Sequence, residues 1–403
     1  MVHHTMKISS TKAASASSNN RIMGAWRRVC VRWMTVAIVG SLAACASAPP
    51  PVIPGTPTMR PDGASLPPAI QRENARWVPV GWQDLPGWGL DSLHEVWGAW
   101  VRGCERPAAG QAALCAELRP LTMTGTAEQQ AWIESRFQPY RVVEADGNTP
   151  QGLLTGYYEP VMPASRLPTA GQRVPLYAPP VGYRSGGQPW FSRQDIDTLP
   201  EAQAALKGRV IAWLSDPIDA LILQIQGSGR LDIKEADGSV KQVRVAFAAH
   251  NGHPYQSVGK WLLDRREIRE ANWEGIRAWA AQNPRRLNEM LWSNPRTVFF
   301  RERPLTALDA KFGPLGAQGV ALTPGRSIAV DPQTVPYGTP VWLVSKGVMY
   351  NQQRLVMAQD TGGAITGAAR ADLFTGWGSW GDPAYQLASR LKQPLQMWVL
   401  WPR

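Results

Sequence analysis

The chain has 403 residues, 44% hydrophobic and 18% charged, a globular composition whose length implies two or three domains of roughly 150 residues each. Its formal charge of +11 is concentrated at the start, because residues 1–44 hold Lys7, Lys12, Arg21, Arg27, Arg28 and Arg32 and no acid; without them the charge is +5. No later Lys/Arg run forms a nucleic-acid footprint, so nucleic acid is excluded as a partner, and an anionic polymer is tolerated without being identified.

At the amino terminus, Arg27, Arg28 and Arg32 precede the apolar stretch "WMTVAIVGSLAAC", Trp33 to Cys45. A basic segment followed by an apolar run too short to span a bilayer comfortably reads as a signal peptide over 1–44. Its end, "LAAC", resembles a bacterial lipobox, which implies cleavage before Cys45 and lipidation of its thiol and new amino terminus. The alternative is an ordinary signal with an incidental cysteine. Ala46, where an aspartate would retain a lipoprotein at the inner membrane, favours the periplasmic face of the outer membrane. The basic segment is long, and Met23 is an alternative start. Residues 45–75 are dense in proline and small residues and read as an extended tether.

Two cysteines remain in the exported part, Cys104 and Cys115, at a spacing that closes a small loop. A structural disulfide is the better reading. A two-cysteine metal site, the alternative, lacks neighbouring histidines or further cysteines.

Helical signals fill the region from Trp77 to Tyr140. "DSLHEVWGAWVRG" offers Ser92 as an N-cap with Leu93, Trp97 and Trp100 on one face, and "TAEQQAWIESRF" places Thr126 and Gln129 in capping-box register. Strands are expected in "GLLTGYYEPVMPAS" from Gly152, in "RVPLYAPP" from Arg173, and in "DALILQIQGSGRLDI" from Asp219, the last ending in a tight turn. Helices return in three segments between Ser257 and Asn294. The final hundred residues then break into short strands, "SIAVDP", "TPVWLV", "RLVMAQD", "ADLFTGW" and "PLQMWVLW", whose spacing points to a small barrel.

Metal and nucleophile chemistry find little support. His94, His250 and His253 are the only histidines after the signal, with no HExxH pattern; His250 and His253 offer two ligands without a third and read as hydrogen-bonding residues. There is no phosphate loop and no G-x-S-x-G elbow, and no cofactor is implied. Nineteen tryptophans against seven phenylalanines supply faces for sugar stacking, although burial tendencies assign most of them to packing.

Carboxylates remain. Asp360 ends the apolar run Leu355–Ala358, with Gly362 and Gly363 just beyond. A carboxylate at the mouth of an apolar strand loses hydration, which raises its pKa and lets it hold a proton near neutrality. The two glycines would let a bulky polymer approach the backbone. Asp331 and Asp372 occupy similar strand ends. The competing reading makes each of these aspartates a turn or cap residue.

Together "TGYYEP", "ILQIQGSGRL", "NPRTVFF", "SIAVDPQTVPYGTPVWL" and "VMAQDTGGAITGAARADLF" resemble the membrane-bound lytic murein transglycosylase A family, in order, from about Gly87 to Trp401. The resemblance implies a mainly β fold with helical segments: a double-psi β-barrel domain, similar to that of expansins, and an inserted second β-rich domain, with a groove between them for a glycan strand. The large domain would comprise 76–158 plus 297–403, and the insert 159–296. Asp360 matches the family's catalytic acid/base, and Asp331 and Asp372 complete its three-aspartate motif as supports. Thr155, Tyr157, Gln224, Gln226, Ser228, Gly362 and Gly363 would contact the glycan, or else serve only as strand and turn residues.

The implied reaction cleaves peptidoglycan between N-acetylmuramic acid and N-acetylglucosamine and closes a 1,6-anhydro ring, with no cofactor. Expected partners are the glycan strand and, through the lipid anchor, the membrane; cell-wall synthesis complexes are compatible with this reading and not specified by it. Two rivals remain: a non-catalytic wall-binding lipoprotein of expansin-like type, and a lysozyme-like hydrolase pairing Asp360 with Glu159. The sequence context, with Pro160 following, places Glu159 at a surface turn.

Overall fold

The structure is a computed structural model that describes residues 65–403 except 109, 185, 348 and 349. The signal segment, Cys45 and the tether up to residue 64 lie outside the described residues. No helix among the described residues is long and apolar enough to cross a membrane.

A short hairpin, β1 (Ile70–Gln71) and β2 (Arg76–Pro79), leads into three helices, α1 (Leu93–Gly103), α2 (Ala112–Leu118) and α3 (Thr126–Arg136). Cys104, the C-cap of α1, is disulfide-bonded to Cys115 on α2. In α3 the N-cap is Gly125 and Thr126 is already helical, so the expected capping box does not form. Gln129 instead turns inward and donates to the Leu121 carbonyl.

Next come β3 (Phe137–Val143) and β4 (Gly152–Ser165). The following segment holds β5 (Val174–Tyr177), α4 (Arg193–Thr198), α5 (Pro200–Ala205), β6 (Val210–Leu214), α6 (Pro217–Gln226), β7 (Ser228–Lys234), β8 (Val240–His250), α7 (Val258–Asp264), α8 (Trp273–Gln282) and α9 (Leu287–Trp292). The chain closes with β9 (Val298–Pro304), β10 (Ser327–Val330), β11 (Pro340–Ser345), β12 (Gln352–Asp360), β13 (Arg370–Gly378), α10 (Pro383–Arg390) and β14 (Lys392–Pro402).

Helix α6 corrects a sequence expectation, since its apolar run reads as a strand. Asp216 caps its start by accepting from the Ile218 N–H at 2.8 Å, Pro217 occupies the first helical position, and Gly227 ends it with φ +78°. These signals outweigh the apolar content, which cannot separate a buried helix from a buried strand.

Six strands pair in a closed ring, β14-β11-β12-β10-β13-β4, with β4 returning to β14. The pairs β10/β12 and β13/β4 are parallel and the other four antiparallel. Strand β4 is shared. Its first part lies in this barrel, and Val161–Ser165 pair with β7 in a second sheet of order β5-β6-β4-β7-β8-β9.

The barrel strands read as unbroken apolar runs because both of their faces are covered. Val341, Leu343, Val356, Ala358, Met397 and Val399 fill the interior. The residues between them, Trp342, Val344, Leu355, Met357, Trp398 and Leu400, pack outward against Val96, Trp97 and Trp100 of α1 and Phe137. The second sheet has its own core with α6 to α9.

Candidate active site

Register brings two of the aspartates together. Asp360 on β12 and Asp372 on β13 each lie opposite Ala329 of β10, and Asp372 lies opposite Thr155 of β4. With strands about 4.8 Å apart, this sets two carboxylates on one face, two strands apart, across a residue as small as alanine.

The Asp360 carboxylate is closely held. Oδ2 accepts from the Tyr157 hydroxyl at 2.7 Å, and Oδ1 accepts from the Ala317 N–H at 2.9 Å. Burial raises its pKa above the ordinary aspartate value, and this outweighs the Tyr157, Thr361 and Ala317 donors, which lower it. The residue as a whole nevertheless keeps some solvent exposure. Tyr157 stays protonated, because burial first and the Asp360 charge second push its phenol well above the usual range. Its ring packs on Phe374 with centroids 5.4 Å apart.

Asp372 accepts from the Thr155 hydroxyl at 2.5 Å, and Thr155 accepts in turn from Arg370 at 2.9 Å. Burial pushes the Asp372 carboxyl up to about 6; Thr155 and Arg370 lower it, and the Asp360 charge adds to the rise.

Asp331 has a different setting. It is buried, and its carboxylate accepts from the Asn74 amide at 3.1 Å and from the N–H groups of Gln333 and Gly367 at 2.9 Å each. Gly367 has φ +100°, which favours glycine. Asp331 thereby pins the far end of the loop that starts at Asp360, while Thr361 anchors its near end by donating to the Val330 carbonyl at 2.9 Å. Gly362 and Gly363 lie between these anchors, and Gly363 is exposed.

Of the other residues singled out in the sequence, Thr155 and Tyr157 contact the aspartates directly. Gln224, Gln226 and Ser228 sit instead at the α6–β7 junction. The Gln224 side-chain oxygen accepts from Arg193 at 2.7 Å, and that of Gln226 accepts from the Tyr158 N–H at 3.2 Å. Ser228 is buried and pairs with Ala246.

Glu159 overturns the surface-turn expectation. It lies inside β4, wholly buried, with one oxygen 2.5 Å from Arg244 Nε and the other 2.8 Å from Arg230 Nε. Pro160 continues the strand. Both oxygens are committed to guanidinium groups, which leaves Glu159 no part in proton transfer.

Sequence reasoning missed Ala317, Arg370 and Phe374. Ala317 acts through its main-chain N–H and has no side-chain signature. Gly316 beside it carries the readable cue: a Cβ there would stand 2.4 Å from the Gln359 carbonyl oxygen, so only glycine lets this loop lie against β12. Among the described residues no group of His, Cys, Asp or Glu is arranged to hold a metal ion. His250 accepts from the Gly252 N–H at 3.0 Å, and His253 lies 2.7 Å from the Trp190 carbonyl.

Residues 153–301 match the model of the MltA specific insert domain, and residues 326–401 that of the 3D domain. Membrane-bound lytic murein transglycosylase A of Escherichia coli is 33% identical over 236 residues, 56% of this chain and 60% of that protein, so the match spans about three fifths of the relative. Among solved structures, MltA of Neisseria gonorrhoeae is 28% identical with a TM-score of 0.68, over 87% of this chain and 98% of that one. The lytic transglycosylase LtgG of Burkholderia pseudomallei is 42% identical with a TM-score of 0.55, over 84% of this chain and 99% of that one. With a relative this similar along its whole length and both domain signatures in order, the chain belongs to the membrane-bound lytic murein transglycosylase A family.

Proposed function

We propose that this chain is a peptidoglycan lytic transglycosylase with Asp360 as its single acid/base. The observation that carries the reading is the Asp360 carboxyl itself, desolvated and aimed by Tyr157 and Ala317. Protonated Asp360 donates to the glycosidic oxygen as the bond from muramyl C1 breaks. The carboxylate then takes the proton of the muramyl C6 hydroxyl, whose oxygen closes on C1 to give the 1,6-anhydro ring. One group acts as acid and then as base. A second carboxylate is unnecessary, because the attacking hydroxyl belongs to the same sugar and is already close. In this reading Asp372 and Asp331 position the acid and its loop, and Gly362 and Gly363 leave room for the strand.

The test is digestion of purified peptidoglycan with mass spectrometry of the new ends. Anhydromuramic ends are expected, and Asp360→Asn should lower their rate at least about 100-fold, the lower bound for loss of a general acid. Reducing ends would indicate a hydrolase, and an absence of products a wall-binding protein.

We further infer that residues 1–44 are a signal peptide and that Cys45 carries lipid, with the Pro-rich stretch to residue 75 as tether, on the periplasmic face of the outer membrane. The E. coli relative is named as membrane-bound, which is consistent with this. Cys45→Ala should shift the protein from the membrane to the soluble fraction, and continued membrane partition would count against the anchor.

A further inference from the structure

Arg296 differs from the ion-paired arginines of the insert. Arg166 pairs with Glu235 and Glu302, Arg277 with Asp216 and Asp219, and Arg230 and Arg244 with Glu159. Among the described residues no carboxylate lies within ion-pairing distance of Arg296, and its two terminal nitrogens donate no hydrogen bond to the protein. The residue is only partly buried.

Its placement is nevertheless tightly built. Arg296 Nε donates to the His253 carbonyl at 2.8 Å, and its own carbonyl accepts from Arg193 at 2.5 Å. The adjoining backbone is held by the wholly buried Asn251, which binds Pro295 and Thr297. The guanidinium then reaches across to the loop after Asp360, where a Cβ on Gly363 would stand 3.4 Å from Arg296 Nη1. Gly363 is three residues beyond Asp360, so their backbones are at most about 10 Å apart. An anchored cation with a free fork therefore faces the loop that begins at the candidate acid. A planar fork of this kind is matched by a carboxylate, which it binds in a bidentate manner.

We propose that Arg296 is a specificity residue that binds a carboxylate carried by the muramyl sugar lying at Asp360. The inference rests on the transglycosylase reading for the identity of that sugar. The muramyl ring bears an O3-lactyl group that ends in a carboxylate when the strand is stripped of peptide, and otherwise continues into a stem with its own carboxylates. N-acetylglucosamine has neither. The contact would tell one sugar of the alternating strand from the other, and so set which of its two bonds is presented to Asp360.

The test is a binding cycle in the full chain, purified in detergent and carrying Asp360→Asn so that strands stay intact. Four probes are compared: peptide-free glycan strands, strands with stems attached, and each of these with its carboxylates converted to amides. Each is measured against Arg296 and Arg296→Ala, with Arg296→Lys as a charge-retaining check. Amidation of the peptide-free strands should cost the Arg296 protein about tenfold in affinity and the alanine variant nothing, as expected for one charge-assisted contact. Lysine should restore part of the difference.

Coupling seen only between stem-bearing strands and their amidated counterpart would assign the carboxylate to the stem. An Arg296→Ala variant that weakens every probe equally, or none, overturns the proposal, since a merely structural role would not depend on the ligand's charge. The two readings fail separately. A parent enzyme that makes no anhydro ends removes the transglycosylase reading while the cycle still reports on Arg296, and anhydro ends without coupling remove Arg296 alone.

Discussion

Two carboxyl groups share one face of the barrel, and both are pushed upward by burial. Their partners divide the work. Asp360 has a hydroxyl and a main-chain N–H on its oxygens, whereas Asp372 is tied through Thr155 to Arg370; both residues are half-buried. The Asp372 value of about 6 carries a stability consequence. An unfolded aspartate titrates near 3.9, so between about pH 4 and pH 6 the folded state binds more protons at Asp372 than the unfolded state does. Stability from this group is therefore complete below about pH 4 and is lost as pH rises through 6. Asp372→Asn removes the titration while keeping an oxygen for the Thr155 hydroxyl. Thermal melts of variant and parent should differ by pH: the variant's melting temperature relative to the parent should be more favourable at pH 7 than at pH 4. An offset equal at both pH values would mean that the Asp372 carboxyl is not shifted.

At the scale of elements, legibility followed the physics that each element depends on. The barrel strands declared themselves because they are apolar and bounded by Gly or Pro turns, and helices α7 and α8 because Ser257 and Asn272 cap segments with helical spacing. Helix α6 misread as a strand because it is buried nearly all round, with Ile218, Ala220, Leu221, Ile222 and Leu223 inside, so periodicity carried no contrast and only Asp216-Pro217 and Gly227 could have decided it. The aspartates were visible as polar residues where an apolar run stops. Thr155 and Tyr157 read as glycan contacts, but their pairing with the aspartates was not legible, since Thr155 reaches Asp372 across a parallel pair more than 200 residues apart in sequence. Ala317 was missed because it reaches Asp360 through the backbone. Arg296 could be seen in "NPRTVFF", but its lack of a carboxylate partner is a property of the folded neighbourhood alone.

For the whole barrel-and-sheet unit, the decisive feature is that one strand belongs to both sheets. Strand β4 carries Thr155 and Tyr157 in the barrel and pairs with β7 a few residues later, and Glu159 sits at the crossing. Its two arginines extend the joint. Arg230 donates to the carbonyls of Ala310 and Phe312, and Arg244 donates to that of Phe312, in the segment that continues to Ala317 and so to Asp360. A buried ion cluster of this kind is costly to break from one side, since it leaves desolvated charge without compensation. Glu159→Gln should therefore destabilise the protein by about 3–5 kcal/mol, read as a lower denaturation midpoint. Below its melting temperature the folded variant should still make the same product ends as the parent, because Glu159 holds the joint and transfers no proton. The hydrolase alternative predicts the reverse: near-normal stability, with catalysis abolished. Measuring the midpoint together with the product ends separates the two, and an unchanged midpoint with lost activity would return Glu159 to the list of catalytic candidates.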